Sequence, residues 1–374
     1  MNPYIRFKLP IEDLVDVNRF INELIEANKY LGIYETLLNK SKLNLGLLLG
    51  PITLQESVLS TRIEGTQVTI DDVFEYEADE SKKNSDIQEV INYSDALRTG
   101  EYLLSSLPIS TRLIKELHKI LLQGDVRGKS RTPGEFRKIQ NFIGPSGCTI
   151  ETASYVPPEP QRVDEYMSNL ENYINDPKDN LNDIIRVAII PAQFETIHPF
   201  LDGNGRIGRI LIPLYLYDKK IIQKPIFFLS ESLEKDKFKY YRLLNDIRVV
   251  NTDSEDYINI AKDRWSEWIK FFINSVITQS KKNIALIEDI DNLYEDTLNE
   301  SRKLISNNKL IDIINFMFER PIFTQKMIRK SLTIPQSTLS SYLNKLEDAK
   351  IIYSDNKKRN RKYYFYSLLE LLRR

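Results

Sequence analysis

Apolar residues recur along most of this chain at helical spacing. Leu47, Leu48, Ile52, Val58 and Leu59 fall on one helical pattern, Leu97, Leu103 and Leu104 on a second. Leu113, Leu117, Ile120 and Leu121 form a third. The stretches 162–173 and 181–194 repeat it, separated by the turn chemistry of Asn175-Asp-Pro-Lys-Asp-Asn180. A further helical pattern runs from Arg206 to Tyr217. Between 144 and 160, Gly, Pro, Thr and Ser cluster and predict looped or extended backbone. Residues 274–300 are polar and helix-compatible, as expected of a connecting helix. The predicted fold is mainly α.

The last quarter follows its own pattern. Leu310–Phe318 predicts a helix closed by Arg320-Pro321, and Thr324 is placed to cap a second helix carrying Met327, Ile328 and Leu332. Pro335-Gln-Ser-Thr338 opens a third, with Leu339, Leu343 and Leu346 inward. Ile351–Tyr353 and Tyr363–Tyr366 are strand-like around the basic tip 354–362. Three helices and a basic hairpin resemble a winged helix-turn-helix. In that arrangement Gln336, Ser337, Thr338, Ser341 and Asn344 face base edges. Lys357, Lys358, Arg359, Arg361 and Lys362 meet the phosphates of DNA. The opposing reading is a solvated basic hairpin on a protein-interaction module.

Charge separates the same segment. The whole chain of 374 residues carries −1, but 301–374 holds 16 Lys+Arg against 6 Asp+Glu. A body of net −11 therefore carries a basic module of +10. A single cysteine, Cys148, excludes intrachain disulfides and cysteine zinc sites, and two histidines exclude histidine-rich metal clusters. The longest apolar run, Ile210–Tyr217, is far short of a membrane span, and no targeting segment is visible. A cytoplasmic setting without membrane contact is expected.

The chemistry concentrates in His198-Pro-Phe-Leu-Asp-Gly-Asn-Gly-Arg-Ile-Gly-Arg209. Helical patterns enter and leave it, and Asp202-Gly-Asn-Gly205 between them is a turn. Two glycines around an asparagine allow positive φ and gather backbone N–H groups into an anion nest at a helix N-terminus. Arg206 and Arg209 share a face and suit phosphate oxygens. Asp202 offers a hard carboxylate oxygen for Mg²⁺, and His198 can accept a proton near neutral pH. Base, metal carboxylate, nest and two arginines within twelve residues predict phosphoryl chemistry.

This segment matches, at every fixed position, the His-x-Phe-x-Asp/Glu-Gly-Asn-Gly-Arg-x-x-Arg signature of Fic-domain proteins. Phe194–Phe200, Pro133-Gly-Glu-Phe-Arg137 and Tyr155–Pro160 also resemble that family, over roughly residues 107–272. Two departures stand out: Pro191 where relatives often carry histidine, and a long stretch at 251–263. The resemblance implies a Fic-type helical bundle with a short β-hairpin flap within 144–156. Thr152, Ala153, Ser154 and Tyr155 would align a target segment there by strand addition. It implies transfer of AMP from ATP to a Ser, Thr or Tyr hydroxyl of a target protein, the chain itself among the options. His198 would be the base and Asp202 would hold Mg²⁺. Gly203, Asn204 and Gly205 would cradle phosphate, joined by Ile207 and Gly208. Arg206 would take the β-phosphate, Arg209 the γ-phosphate, and Tyr240 or Tyr241 the adenine. Ser60-Thr-Arg-Ile-Glu-Gly65 resembles the family's inhibitory helix, which implies Glu64 paired with Arg209 and Ser60 fixing the helix one turn away.

The expected organisation is an N-terminal helical region at 1–105 with the inhibitory helix at about 55–68, and a catalytic core at 106–275. A connecting helix at 276–300 and a winged helix-turn-helix at 301–374 follow. Alternatives are a DNA-binding regulator that senses nucleotide, or an enzyme that removes AMP or uses another donor. A homodimer is plausible by resemblance. Gly124-Asp-Val-Arg-Gly-Lys-Ser130 falls one residue short of a phosphate-binding P-loop and follows a helix, so it is expected to be a turn. Asn92-Tyr-Ser94 has sequon form only. His118 is expected to be a partly buried helix residue.

Overall fold

The computed structural model describes residues 8–41, 45–79, 84–145, 147–248 and 256–374. Helix α1 (Ile21–Lys40) buries Leu24, Ala27, Leu31, Tyr34 and Leu38, a stripe one helical repeat wide. It lies along a 48-residue helix, Tyr257–Leu304 (α11), with Glu23 on Lys270 and Glu26 on Lys281. Helices α2 (Leu45–Ile63), α3 (Ile70–Ala78), α4 (Ser85–Leu104) and α5 (Thr111–Leu121) follow. Thr69 and Asp72 close a reciprocal capping box on α3, and Asn84 and Ser110 cap α4 and α5. Helices α6 (Val163–Asn175), α7 (Asp183–Ile197) and α8 (Asn204–Asp218) complete the centre of the bundle. Every residue of α7 from Ile184 to Ile197 is buried, the polar Arg186, Gln193, Glu195 and Thr196 among them, because the helix is covered all round. Gly100 of α4 lets α8 come close: a Cβ there would lie 2.6 Å from Leu214 Cδ1.

Helices α9 (Ser230–Lys235) and α10 (Lys237–Arg248) lead to α11 (Tyr257–Leu304). Residues 257–304 contain neither Gly nor Pro, and one uninterrupted helix runs across the boundary expected at 275/276. Its first half packs Trp265, Trp268, Ile269, Phe272 and Val276 into the main core, while Ile290 enters a second core. Of the long stretch 251–263, residues 251–255 lie outside the described residues.

The second core is built by α12 (Lys309–Glu319), β1 (Ile322–Thr324), α13 (Gln325–Ser331), α14 (Gln336–Asp348), β2 (Tyr353–Ser354), β3 (Lys362–Tyr364) and α15 (Tyr366–Arg373). The strands form one antiparallel sheet in the order β1-β3-β2. Thr324 accepts the Met327 N–H as the cap of α13, as its sequence predicts. Two expectations change. Ile351 and Ile352 are buried in the turn before β2 and not in a strand, and Tyr366 opens a helix. Leu368, Leu369, Leu371 and Leu372 can all reach the core only at helical spacing, and α15 satisfies them. Helix α2 serves both cores, with Ile63 in the first and Leu54 and Val58 in the second.

The expected flap hairpin is also reduced. Among the described residues of 144–156, pairing is a single antiparallel bridge, with Ile143 and Tyr155 exchanging N–H···O bonds of 2.8 and 3.0 Å. Pro145 has no N–H for a next rung, and Cys148 N–H donates to Pro145 O and Thr152 N–H to Thr149 O in place of further pairing.

Replacing Gly100 with Ala should cost about 1–3 kcal/mol of stability, because Leu214 is buried and has no solvent to swing into. Urea denaturation of the two chains measures it; equal midpoints would show that α4 and α8 separate freely.

Candidate functional site

The site is the junction of α7 and α8. His198 ends α7 in the left-handed region (φ 49°, ψ 58°), an unfavourable geometry for a side chain with a Cβ. Arg137 holds it there. Its backbone N–H donates to Pro199 O (2.9 Å) and its guanidinium to the carbonyls of His198 (2.9 Å), Pro158 (2.5 Å) and Ile197 (3.4 Å). This is the role of the Pro133–Arg137 segment. Gly134 N–H donates to His118 Nδ1 (2.8 Å), and Phe136 packs against Phe200. Tyr155, assigned to the flap, is buried and donates to Thr196 O (2.7 Å), with Arg248 over its ring. Ala153 is buried too, and only Thr152 and Ser154 of the four flap positions are exposed.

Burial, with the nearby positive charge of Arg248, pushes the His198 imidazole down to about 3, so it is neutral. A carbonyl only accepts, so its Nδ1 carries the proton and donates to Glu195 O (3.3 Å). The lone pair therefore sits on Nε2, which has no described partner. His118, expected to be a partly buried helix residue, does more. It is fully buried and joins three elements. It accepts from Gly134 at Nδ1, donates from Nε2 to Asp202 O (3.0 Å) and stacks on Phe200 at 3.7 Å. Burial holds it down to about 4.

The turn itself is held by Asn204, whose side chain both accepts from Phe200 N–H and donates to Phe200 O, each at 2.9 Å. Gly203 adopts φ +77°, and a Cβ there would press on Leu121 at 3.2 Å. The first intrahelical donor of α8 is Ile207 N–H, bonded to Gly203 O, which leaves the amides of residues 204–206 ahead of it. Ile207 and Gly208, grouped with the nucleotide contacts, point their non-backbone sides inward, toward the core and Glu195.

Both arginines are engaged by carboxylates. Arg206 is buried and donates to Glu89 (2.9 Å) and Asp202 (3.3 Å). Losing one partner of so buried a pair costs about 3–5 kcal/mol. Arg209 donates through Nε to Ser60 Oγ (2.8 Å), and through Nη2 to Ser60 O (3.0 Å) and Glu64 Oε1 (2.7 Å); its Nη1 has no hydrogen-bond partner among the described residues. Burial works against both charges, and the pairing overrides it. The Arg209 guanidinium is raised and the Glu64 carboxyl lowered from their ordinary values. Glu64 stands in the turn after α2, which Gly65 closes at φ +106°. Lys237 donates to Ile63 O and Arg127 to Glu64 O. The Glu64 carboxylate lies over the first turn of α8, where a Cβ on Gly205 would be 2.5 Å from Oε1.

Asp202 has one oxygen committed to Gly203 N–H (2.6 Å) and Arg206, and its carboxylate is partly exposed. One such oxygen suits Mg²⁺, which takes one or two carboxylates and fills its shell with water and substrate phosphates. No cluster of three acidic, His or Cys ligands occurs among the described residues. Tyr240 and Tyr241 differ. Tyr240 is buried and donates to Glu195 (2.5 Å), whereas Tyr241 is partly exposed beside it, with ring centroids 5.1 Å apart.

Helical bundle and turn together define a Fic-type protein. The Fic/DOC family N-terminal model matches residues 21–101 and the Fic/DOC family model residues 108–216. The chain belongs to the Fic/DOC family. A probable protein adenylyltransferase of Aquifex aeolicus is 26% identical over 265 residues, 70% of this chain and 72% of that protein. The protein adenylyltransferase Fic of Drosophila grimshawi is 30% identical over 156 residues, 38% of this chain. The match spans 29% of that longer protein. A crystal structure of a Fic family protein from Desulfovibrio desulfuricans shares the fold, with TM-score 0.57 at 17% identity and 98% of each chain covered. No helix among the described residues is long and apolar enough to cross a membrane.

With only two histidines in the chain, ring titration by NMR is unambiguous. Neither imidazole should gain its proton between pH 8 and 5.5; a midpoint near 6.5 for either would show that its burial is lost in solution.

Proposed function

We propose that the chain is a self-restrained protein adenylyltransferase that moves AMP from ATP to a Ser, Thr or Tyr hydroxyl of a target protein. The observation that carries this is the Glu64 carboxylate. It already lies over the α8 N-terminus and on Arg209, as the anion of a bound phosphate would. In the working state His198 Nε2 accepts the proton of the target hydroxyl. The oxygen attacks the α-phosphorus in line, and pyrophosphate leaves on the opposite side. The backbone at 203–205 and Arg209 bind the phosphate oxygens, and Arg206 holds Asp202 in place. Mg²⁺ on Asp202 would supply charge neutralisation between phosphates. With Glu64 present, Arg209 has a carboxylate in place of the γ-phosphate, and ATP binds without its reactive alignment. Tyr241, with its ring partly open, is the adenine contact of the pair; Tyr240 positions Glu195.

The order α12-β1-α13-α14-β2-β3 favours a winged helix-turn-helix at 301–374. Gln336, Ser337, Ser341 and Asn344 are exposed on α14, and Thr338 is partly buried. Lys358 and Arg359 are exposed, whereas Arg361 and Lys362 are turned onto Glu347 and Glu75. We read the module as a DNA-binding one. Duplex binding that weakens steeply with salt supports it, and no binding at 50 mM salt overturns it.

Glu64→Gly should raise transfer of labelled AMP to protein about tenfold or more, and His198→Ala in that chain should return it to background. Unchanged transfer in Glu64→Gly would sink self-restraint. Transfer surviving His198→Ala would remove the base.

A further inference from the structure

The loop 124–130, which resembles a P-loop but lacks its length, meets the site at Glu89, at the Glu64 turn and beside Asp202. Asn92 anchors its start, donating to the carbonyls of Leu121 (3.2 Å) and Gln123 (2.8 Å), and Val126 is buried beneath it. Gly128, at φ +84°, passes so close to Asp202 that a Cβ would lie 2.9 Å from Oδ2. Between them is Arg127. Its backbone N–H donates to Glu89 Oε1 (3.2 Å) and its Nη2 to Glu89 Oε2 (3.2 Å), the same carboxylate that holds Arg206. Its Nη1 donates to the carbonyl of Glu64 (3.1 Å). About half of the side chain is exposed, in contrast to the buried Arg206 and Arg209.

Arg127 and Arg209 thus converge on one residue, the first on the Glu64 carbonyl and the second on its carboxylate. An anion that replaces the Glu64 turn arrives between two guanidiniums. We propose that Arg127 is a positioning residue for the β/γ end of a nucleoside triphosphate, held on the Glu64 carbonyl while the inhibitory turn is in place. When the turn leaves, Nη2 stays anchored on Glu89 and Nη1 is released toward the phosphates. Glu89 then orients two arginines at once, Arg206 beneath the turn and Arg127 at its rim. Guanidinium recognition of phosphate is charge-assisted and directional. The loss of Arg127 should therefore be felt by a triphosphate and not by a ligand that ends at the α-phosphate.

This rests on the adenylyltransferase reading for the release of the Glu64 turn. The test is equilibrium binding of MgATP and of AMP to the full chain carrying Glu64→Gly, whose turn keeps its carbonyl but loses its carboxylate anchor on Arg209 and can be displaced by the phosphates, with and without Arg127→Ala. Binding of MgATP should weaken about tenfold while AMP binding stays within about twofold, and Arg127→Lys should recover part of the loss. If both ligands weaken alike, Arg127 only supports the loop, and if neither weakens, it does not meet phosphate; either result overturns the proposal. Binding requires no transfer. Absence of AMP transfer by Glu64→Gly would count against the enzyme reading, and the ATP-to-AMP comparison would still decide the role of Arg127.

Discussion

A guanidinium that is almost wholly buried needs an anion at all times, and Arg209 is the point from which the rest of the site follows. Its charge cannot be left uncompensated in the core without a cost of several kcal/mol. The fold answers with a carboxylate delivered from a different helix, Glu64 after α2, and with the hydroxyl and carbonyl of Ser60. The protein is therefore most stable with its anion position filled from within. In the reaction proposed above, substrate phosphate and the Glu64 carboxylate compete for the same donors, because both are anions of similar hydrogen-bonding demand. The turn that follows His198 is locked independently of Glu64, by Asn204, His118 and Arg137.

The turn between α7 and α8 was legible in the sequence because its chemistry is local. Twelve consecutive residues contain His198, the Asp202 carboxylate, the glycines and both arginines. The Ser60–Gly65 hexapeptide was legible by resemblance, and the structure supplies the reason for its glycine, a left-handed turn that ends α2 and aims Glu64 back at α8. What could not be read are partners that meet only in three dimensions. Glu89 and Lys237 sit in segments with no distinguishing pattern, and Arg127 in a loop that resembled a P-loop for other reasons, yet Glu89 holds Arg206, Arg127 the Glu64 carbonyl and Lys237 the Ile63 carbonyl. His118 looked like one more helix residue because nothing in Glu116-Leu-His-Lys announces Gly134 and Asp202 on its two nitrogens. Tyr155 is the reverse case: a flap position by motif, it is a core anchor by geometry.

The same contrast applies to the fold. Helices of the main bundle follow from apolar periodicity, since each presents a stripe to one core. Boundaries failed where tertiary demands outweighed local pattern. A continuous α11 serves two cores that sequence treated as separate units. The aromatic run at 363–366 is divided between a strand and a helix because Phe365 N–H is taken by Pro321 O and the leucines beyond must turn inward.

The shared membership of α2 has a mechanical consequence. Leu54 and Val58 belong to one core and Ile63 to the other, and Ser57, Ser60 and Thr61 are buried beside them. Withdrawing the helix would expose several side chains at about 1.5–3 kcal/mol for each large apolar one, a sum comparable to the whole stability of a domain. Helix α2 is thus a member of both cores and not a detachable segment. Past Ile63 the chain is held by backbone bonds from Glu64, Gly65 and Thr66 back to α2, by Arg127 on the Glu64 carbonyl and by Arg209 on its carboxylate. Under the restraint proposed above, freeing Arg209 calls for a local rearrangement of these few residues at the end of a helix that itself stays in place.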